Sequence, residues 1–217
     1  MIIIRIIVLY IFLIFVEKYP KLKDYSPETK FNFYRSLLCA FFVLYSFENT
    51  VNNFSQGIVK PFDYKTDNFT DISEWFVAYL TLDIGKMVWM KNTRLDLYIH
   101  HIWCLATYGA AFYFNKIGFM TNIVLVAEAI SIVSGIDSQY MENKDMNKSK
   151  ICKVYRKNII KYVRQPLWIF CFFMILYHKN SLPSILFWNY MIGIPIMLYL
   201  DKYWEKKCDK VINTNII

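Results

Sequence analysis

The sequence lacks paired cysteines. Its five cysteines lie far apart, most of them inside apolar runs, and no two are spaced as C-x-x-C. Disulfide frameworks and zinc sites both need clustered or evenly paired cysteines, so we predict neither. We interpret the cysteines as small hydrophobic core residues. They are Cys39, Cys104, Cys152, Cys171 and Cys208.

Histidine is also scarce, and lysine is missing where one protein class would need it. A di-iron lipid hydroxylase or desaturase requires many clustered histidines, whereas this chain has three. A retinal protein requires a buried lysine in its last membrane span, and residues 183–200 contain none. Both classes are therefore excluded.

Charged residues make up only 19% of the chain, while 56% is hydrophobic. The charges cluster between apolar runs, which is typical of a membrane protein. We predict an all-α, multi-pass membrane bundle of about seven transmembrane helices. The apolar segments are residues 2–16, 32–47, 74–90, 98–114, 117–136, 165–178 and 183–200. Several are shorter than the roughly 20 residues of a straight span, so interfacial tyrosines and tryptophans must extend them.

The charges of the loops predict the orientation. Residues 48–74 hold five acidic residues, two lysines and glycosylation sequons at Asn53 and Asn68, which favours a lumenal or external loop. Residues 142–164 hold eight basic and two acidic residues, which predicts a cytosolic loop. The N terminus is then outside and the C terminus cytosolic, and the sequon at Asn147 should stay unmodified. The net charge of +8 indicates anionic lipid headgroups at Lys144–Arg164 as a partner, and not nucleic acid.

The N-terminal segment has two interpretations. Arg5 and the apolar run after it could form a cleaved signal sequence, but no A-x-A-like site follows. Cleavage would also invert both loops used for the orientation. We therefore retain the segment, which gives an N-terminal helix with a cytosolic connector (residues 1–30), a helical domain (31–203) and a cytosolic tail (204–217).

Apolar residues recur at helical spacing in the basic loop, at Ile151, Val154, Tyr155, Ile159 and Tyr162. This pattern predicts a short helix lying on anionic lipid and ended by Pro166. A cytosolic extension of the sixth segment is the alternative.

Four ionisable residues lie inside or beside apolar segments, namely Asp83, His100, His101 and Glu128. Such groups are costly in a membrane and are candidate functional residues. At about 1.5 Å per residue all four fall in the cytosolic half, so three neighbouring helices could bring them to one pocket. Lys86, one turn from Asp83, could instead neutralise that carboxylate.

Adjacent histidines project about 100° apart on a helix, so one can enter a pocket while the other bonds to a neighbouring helix. A carboxylate beside a histidine raises its basicity, as a general base or nucleophile requires. The alternative is an interhelical polar clamp without chemistry. The small number of potential metal ligands argues against a metal site. A single divalent ion held by His101, Glu128 and Asp83 remains the alternative.

These residues together resemble the TLC domain, the superfamily of ceramide synthases, translocon-associated TRAM proteins and TLC-domain-containing lipid regulators. The resemblance rests on Asp83 in Y-L-T-L-D-I-G, the histidine pair in Y-I-H-H-I-W, the turn F-N-K-I-G at residues 114–118, and Glu128 in V-A-E-A-I-S. It extends over residues 31–203. It implies a six-helix barrel that encloses a cavity for an acyl chain, with the first span outside, in the endoplasmic reticulum or another endomembrane.

In ceramide synthases the histidine pair acts with a later His-Asp and a further aspartate. Here the His-Asp falls on Ala127-Glu128 and the further aspartate falls near Ser131. This departure resembles the lipid regulators more than the synthases.

Three functions remain. The first is lipid binding or regulation, with Tyr79, Trp103, Tyr108 and Met120 lining a cavity for an acyl chain or sphingolipid. The second is an N-acyltransferase that moves an acyl group from acyl-CoA, as co-substrate, to a sphingoid amine through His100, His101, Glu128 and Asp83. The third is a structural or chaperone-like membrane factor. No cofactor is predicted.

Overall fold

The structure, a computed structural model, describes residues 2–213. In those residues it is all-helical and contains no strand. Seven long helices follow one another along the chain: α1 Ile2–Glu17, α2 Pro27–Asn52, α3 Asp67–Trp89, α4 Leu95–Tyr113, α5 Phe119–Glu142, α6 Met146–Tyr177 and α7 Ser184–Ile212. The segments predicted from hydropathy fall on these seven helices in order. Residues 204–212 of the predicted tail continue α7, and residues 214–217 lie outside the described part of the chain.

Three of these helices, α5, α6 and α7, are long and apolar enough to cross a membrane. The all-helical, membrane character predicted from composition therefore agrees with the structure. Many large apolar side chains also face outward, among them Ile3, Leu44, Trp89 and Tyr199. An outer surface of this kind is suited to lipid rather than to water.

The helices pack in a closed circuit. In the described chain α2 lies along α5, α5 packs on α6, α6 on α7, α7 on α4, and α4 on α3, which returns to α2. The first helix, α1, packs against α3 and α2. Its inner face buries Leu9, Leu13 and Val16.

Ion pairs join α1 to α3 at both ends. Arg5 lies 2.7 Å from Asp71 and 2.9 Å from Glu74, and its guanidinium lies over the Trp75 ring. At the other end Lys86 lies 2.7 Å from Glu17. The two helices therefore run parallel, and the predicted neutralisation of Asp83 by Lys86 is wrong. Lys86 pairs with Glu17 on the neighbouring helix and not with Asp83 on its own helix.

The turn between α4 and α5 forms where the sequence predicts it. Asn115 adopts a positive φ of 54°, and the Lys116 N–H donates to Ala111 O at 2.7 Å. Asparagine tolerates this left-handed conformation at a helix end. A Cβ on Gly118 would lie 2.8 Å from the carbonyl oxygen of Tyr64, so glycine is required there by close packing.

The prediction that Pro166 ends a separate interfacial helix is wrong. α6 continues from Met146 to Tyr177 through a π-helical turn at Ile160–Arg164. Proline has no N–H and crowds the carbonyl one turn before it. The Gln165 N–H donates to Ile160 O, one residue further back than in an α-helix, so the π turn absorbs this disruption. The alternative, an extension of the sixth segment, describes this helix.

Candidate functional site

Glu128 is positioned by an irregular stretch of α5. Residues Val124–Glu128 form a 3₁₀ segment between two α-helical parts of α5. The Ala127 carbonyl in this stretch accepts from a side chain on another helix. Arg164 Nη1 donates to it at 2.6 Å. Glu128 itself is buried in the interior of the bundle.

Arg164 is held by the π turn of α6 and is fully buried. Its Nε donates to Asp201 Oδ1 at 2.7 Å, and Trp168 Nε1 donates to the other carboxylate oxygen at 3.1 Å. The guanidinium also lies 5.3 Å from the ring centroid of Trp204. A buried cation of this kind needs both a counter-charge and hydrogen bonds, and this cage supplies them to every guanidinium nitrogen except Nη2.

His100 is paired with Glu128. Its Nε2 lies 3.3 Å from Glu128 Oε1, and the Ser131 hydroxyl donates to Glu128 Oε2 at 3.2 Å. The other imidazole nitrogen, Nδ1, lies 3.4 Å from Met197 Sδ and 3.7 Å from Cys104 Sγ. Sulfur is a weak hydrogen-bonding group, so the carboxylate is the strong partner that orients this ring.

His101 meets Asp83, which an arginine also holds. Arg35 donates to both carboxylate oxygens of Asp83, from Nε at 2.5 Å and from Nη2 at 2.7 Å. His101 Nδ1 lies 2.9 Å from Asp83 Oδ2, but the atom makes no aligned hydrogen bond. Arg35 thus neutralises Asp83, and His101 contacts a carboxylate whose charge is already compensated.

The four predicted residues are therefore brought together as two adjacent pairs. The two imidazole rings lie 5.1 Å apart between centroids, and each faces a carboxylate on a different helix, α5 for His100 and α3 for His101. We expected one histidine in a pocket and the other bonded to a helix, but both contact neighbouring helices. No group of three or more ligating side chains between residues 2 and 213 is arranged to hold a metal ion.

A polar cavity of about 210 Å³ opens beside these pairs. Both histidines lie in its wall, together with five cationic side chains and one carboxylate, Asp137. Asp137 accepts from Ser149 Oγ at 2.7 Å and also pairs with Lys153 and Arg156. The cationic residues of the wall are Arg35, Arg94, Lys153, Arg156 and Arg164.

A second, apolar pocket of about 30 Å³ lies next to the first. Trp103, Tyr108 and Met120, three of the four residues predicted to line a lipid cavity, are in its wall, whereas Tyr79 lines the polar cavity. His100 belongs to both walls. Trp103 packs on α7 so closely that a Cβ on Gly193 would lie 1.8 Å from its Nε1.

Sequence reasoning missed three polar residues of the site. Arg35 and Asp201 were not selected, and Arg164 was treated only as one of many loop cations. A signal existed for Arg35, the one charged residue within the apolar segment 32–47. Asp201 falls immediately after the last predicted segment, where a charge is unremarkable.

No protein-family model, curated protein or solved structure matches this chain. Its function must therefore be argued from the geometry of the two cavities and the residues between them.

Proposed function

We propose that this chain is an integral membrane protein of the TLC type that binds or regulates membrane lipids. The observation that carries the proposal is the position of His100, which lies in the wall of both a polar and an apolar cavity. An amphiphile needs such adjacent environments, one for its headgroup and one for its chain. The headgroup would occupy the polar cavity beside the two histidine–carboxylate pairs.

The seven-span topology belongs to the same proposal. The closed circuit from α2 to α7, with α1 packed against α2 and α3, is the arrangement expected of a six-helix TLC barrel with its first span outside. The basic stretch at residues 142–164 supports a cytosolic position for the α5–α6 connection, with the N terminus outside. An endomembrane such as the endoplasmic reticulum is the proposed location.

The apolar pocket is too small for an acyl chain in its present form. A volume of about 30 Å³ accommodates little more than one water, so chain binding requires the pocket to widen. Trp103 is suited to open it, because its indole makes one long hydrogen bond, 3.4 Å to Asn189 O, and is half-buried. Its displacement from the surface of α7 would join the pocket to the space between α4 and α7.

Mass spectrometry of lipids extracted from the purified protein tests this proposal. We expect one lipid class to be retained by wild-type protein, and Cys104→Leu to reduce its amount because the larger side chain fills the apolar pocket. Cys152→Leu is the matched control, since Cys152 is buried outside both cavities. Wild-type protein free of lipid, together with an unchanged cellular lipid composition on its deletion, would reject lipid binding.

Acyl transfer is the second candidate, favoured by the His100–Glu128 pair. In this reaction the amine nitrogen of the sphingoid base attacks the acyl-CoA carbonyl while the imidazole takes a proton from that amine. The imidazolium then returns the proton to the sulfur of coenzyme A, which leaves as the thiol. Glu128 would stabilise the imidazolium. Purified protein supplied with acyl-CoA and sphinganine should then form ceramide, and His100→Ala should abolish product. A wild-type preparation that forms no ceramide would eliminate this candidate.

A further inference from the structure

The polar cavity contains hydrogen-bond donors that nothing in the described chain satisfies. Arg164 Nη2 and Arg156 Nε are buried and have no aligned hydrogen-bond partner, and both residues line the cavity. Buried donors left unpaired are costly and rare in native proteins. An acceptor in the cavity would supply the missing bonds once these side chains turn toward it.

The charges of the wall indicate which acceptor is suitable. Asp137 is the single carboxylate among the lining residues, and Lys153 and Arg156 already pair with it. Asp83 and Asp201 are fully buried behind the wall and do not line the cavity. The cavity therefore presents donors and cations to its contents and has no free carboxylate of its own to repel an anion.

We propose that the polar cavity binds the phosphate group of a membrane lipid. A phosphate offers several oxygens in a tetrahedral arrangement, and guanidinium groups bind such oxygens with charge-assisted hydrogen bonds. The two free donors both come from α6 and lie about two turns apart. This inference rests on the proposed function, because it specifies the headgroup of the lipid that the bundle binds.

The outer face of α6 supports a lipid as the source of the phosphate. Ile151, Val154 and Tyr155 are exposed on the same turns that direct Lys153 and Arg156 toward Asp137. Apolar side chains on the outside and cations on the inside place this stretch at the depth of lipid headgroups. The apolar pocket shares His100 with the cavity, so a chain attached to the phosphate has an adjacent apolar environment.

The test is a binding titration of the full-length protein in detergent, read out as thermal stability and by native mass spectrometry. The probes are dioctanoyl phosphatidic acid, dioctanoylglycerol without the phosphate, and inorganic phosphate. We expect phosphatidic acid to raise the melting temperature and to bind at least about tenfold more tightly than the other two, because it alone offers both phosphate and chains.

Arg156→Gln should weaken phosphatidic acid binding about tenfold and leave dioctanoylglycerol unaffected, since one charge-assisted contact is lost. Lys153 still pairs with Asp137 in this variant, so the fold is retained. Lys157→Gln is the matched control, because Lys157 pairs with Asp209 and lies outside the cavity. Arg156→Lys, which keeps the charge but removes the free Nε, should have an intermediate affinity.

The outcomes separate the two proposals. Equal binding of phosphatidic acid and dioctanoylglycerol, unchanged in Arg156→Gln, overturns the phosphate site while lipid binding stands. If inorganic phosphate binds as tightly as phosphatidic acid, the proposal that the bound phosphate belongs to a lipid is overturned. Failure of phosphatidic acid to bind overturns the phosphate site, whereas the proposed function falls only if the purified protein also retains no lipid and its deletion leaves the cellular lipid composition unchanged.

Discussion

Removal of Arg35 should destabilise the protein more than removal of any surface cation. Asp83 is fully buried, and Arg35 is the cation that donates to both of its oxygens. Arg35→Met would leave the carboxylate with His101 alone, and breaking one side of a buried ion pair costs about 3–5 kcal/mol. For a chain of this size that cost corresponds to a fall in melting temperature of roughly 6–20 °C.

The assay is thermal unfolding in detergent, followed by the fraction of protein that remains monodisperse after heating. Lys86→Met is the control, because Lys86 pairs with the partly exposed Glu17 and such pairs contribute at most about 1 kcal/mol. Arg35→Met combined with Asp83→Leu removes both charges and should recover much of the lost stability.

Two results would refute this reasoning. A fall in melting temperature no larger than that of Lys86→Met would show that Asp83 is not isolated from solvent. A double variant as unstable as Arg35→Met would show that the loss comes from packing and not from an unpaired carboxylate. A stable double variant that still retains lipid would further show that the Arg35–Asp83 pair holds helices together and is not needed for lipid binding.

Two further predictions concern packing and orientation. Gly193→Ala should destabilise the protein by about 1–3 kcal/mol, because the added Cβ would displace Trp103. In the control variant Gly109→Ala the added Cβ meets open space, so this variant should be as stable as wild type or slightly more stable. Equal melting temperatures for the two variants would contradict the packing of Trp103 on Gly193. Treatment with a glycosidase should increase the electrophoretic mobility of protein from eukaryotic cells, and Asn68→Gln should reduce that shift while Asn147→Gln leaves it intact. A shift that depends on Asn147 would reverse the proposed orientation.

Much of the site could be predicted because a charged residue within an apolar run is visible in the sequence, and burying such a residue is costly. Asp83, His100, His101 and Glu128 each interrupt or border an apolar run, and the structure groups all four. Their partners were harder to identify, since pairing depends on which helices meet. Arg35 and Asp83 are 48 residues apart, and Arg164 and Asp201 are 37 apart.

The errors have a common physical origin. Lys86 was the alternative partner of Asp83 because the two are one turn apart, but it pairs with Glu17 on another helix. Pro166 was expected to end a helix, yet the π turn before it preserves the helix at the cost of one shifted hydrogen bond. Hydrophobic periodicity shows neither the 3₁₀ stretch that carries Glu128 nor the π turn that carries Arg164.

The ion pairs between α1 and α3 have a consequence for the synthesis of the chain. Arg5 is made early, but Asp71 follows it by 66 residues and Glu74 by 69. Until α3 leaves the ribosome, the Arg5 side chain has neither carboxylate available. Helix α1 can therefore complete its packing against α3 only after α3 has been synthesised. A nascent chain that ends before Asp71 should hold α1 loosely.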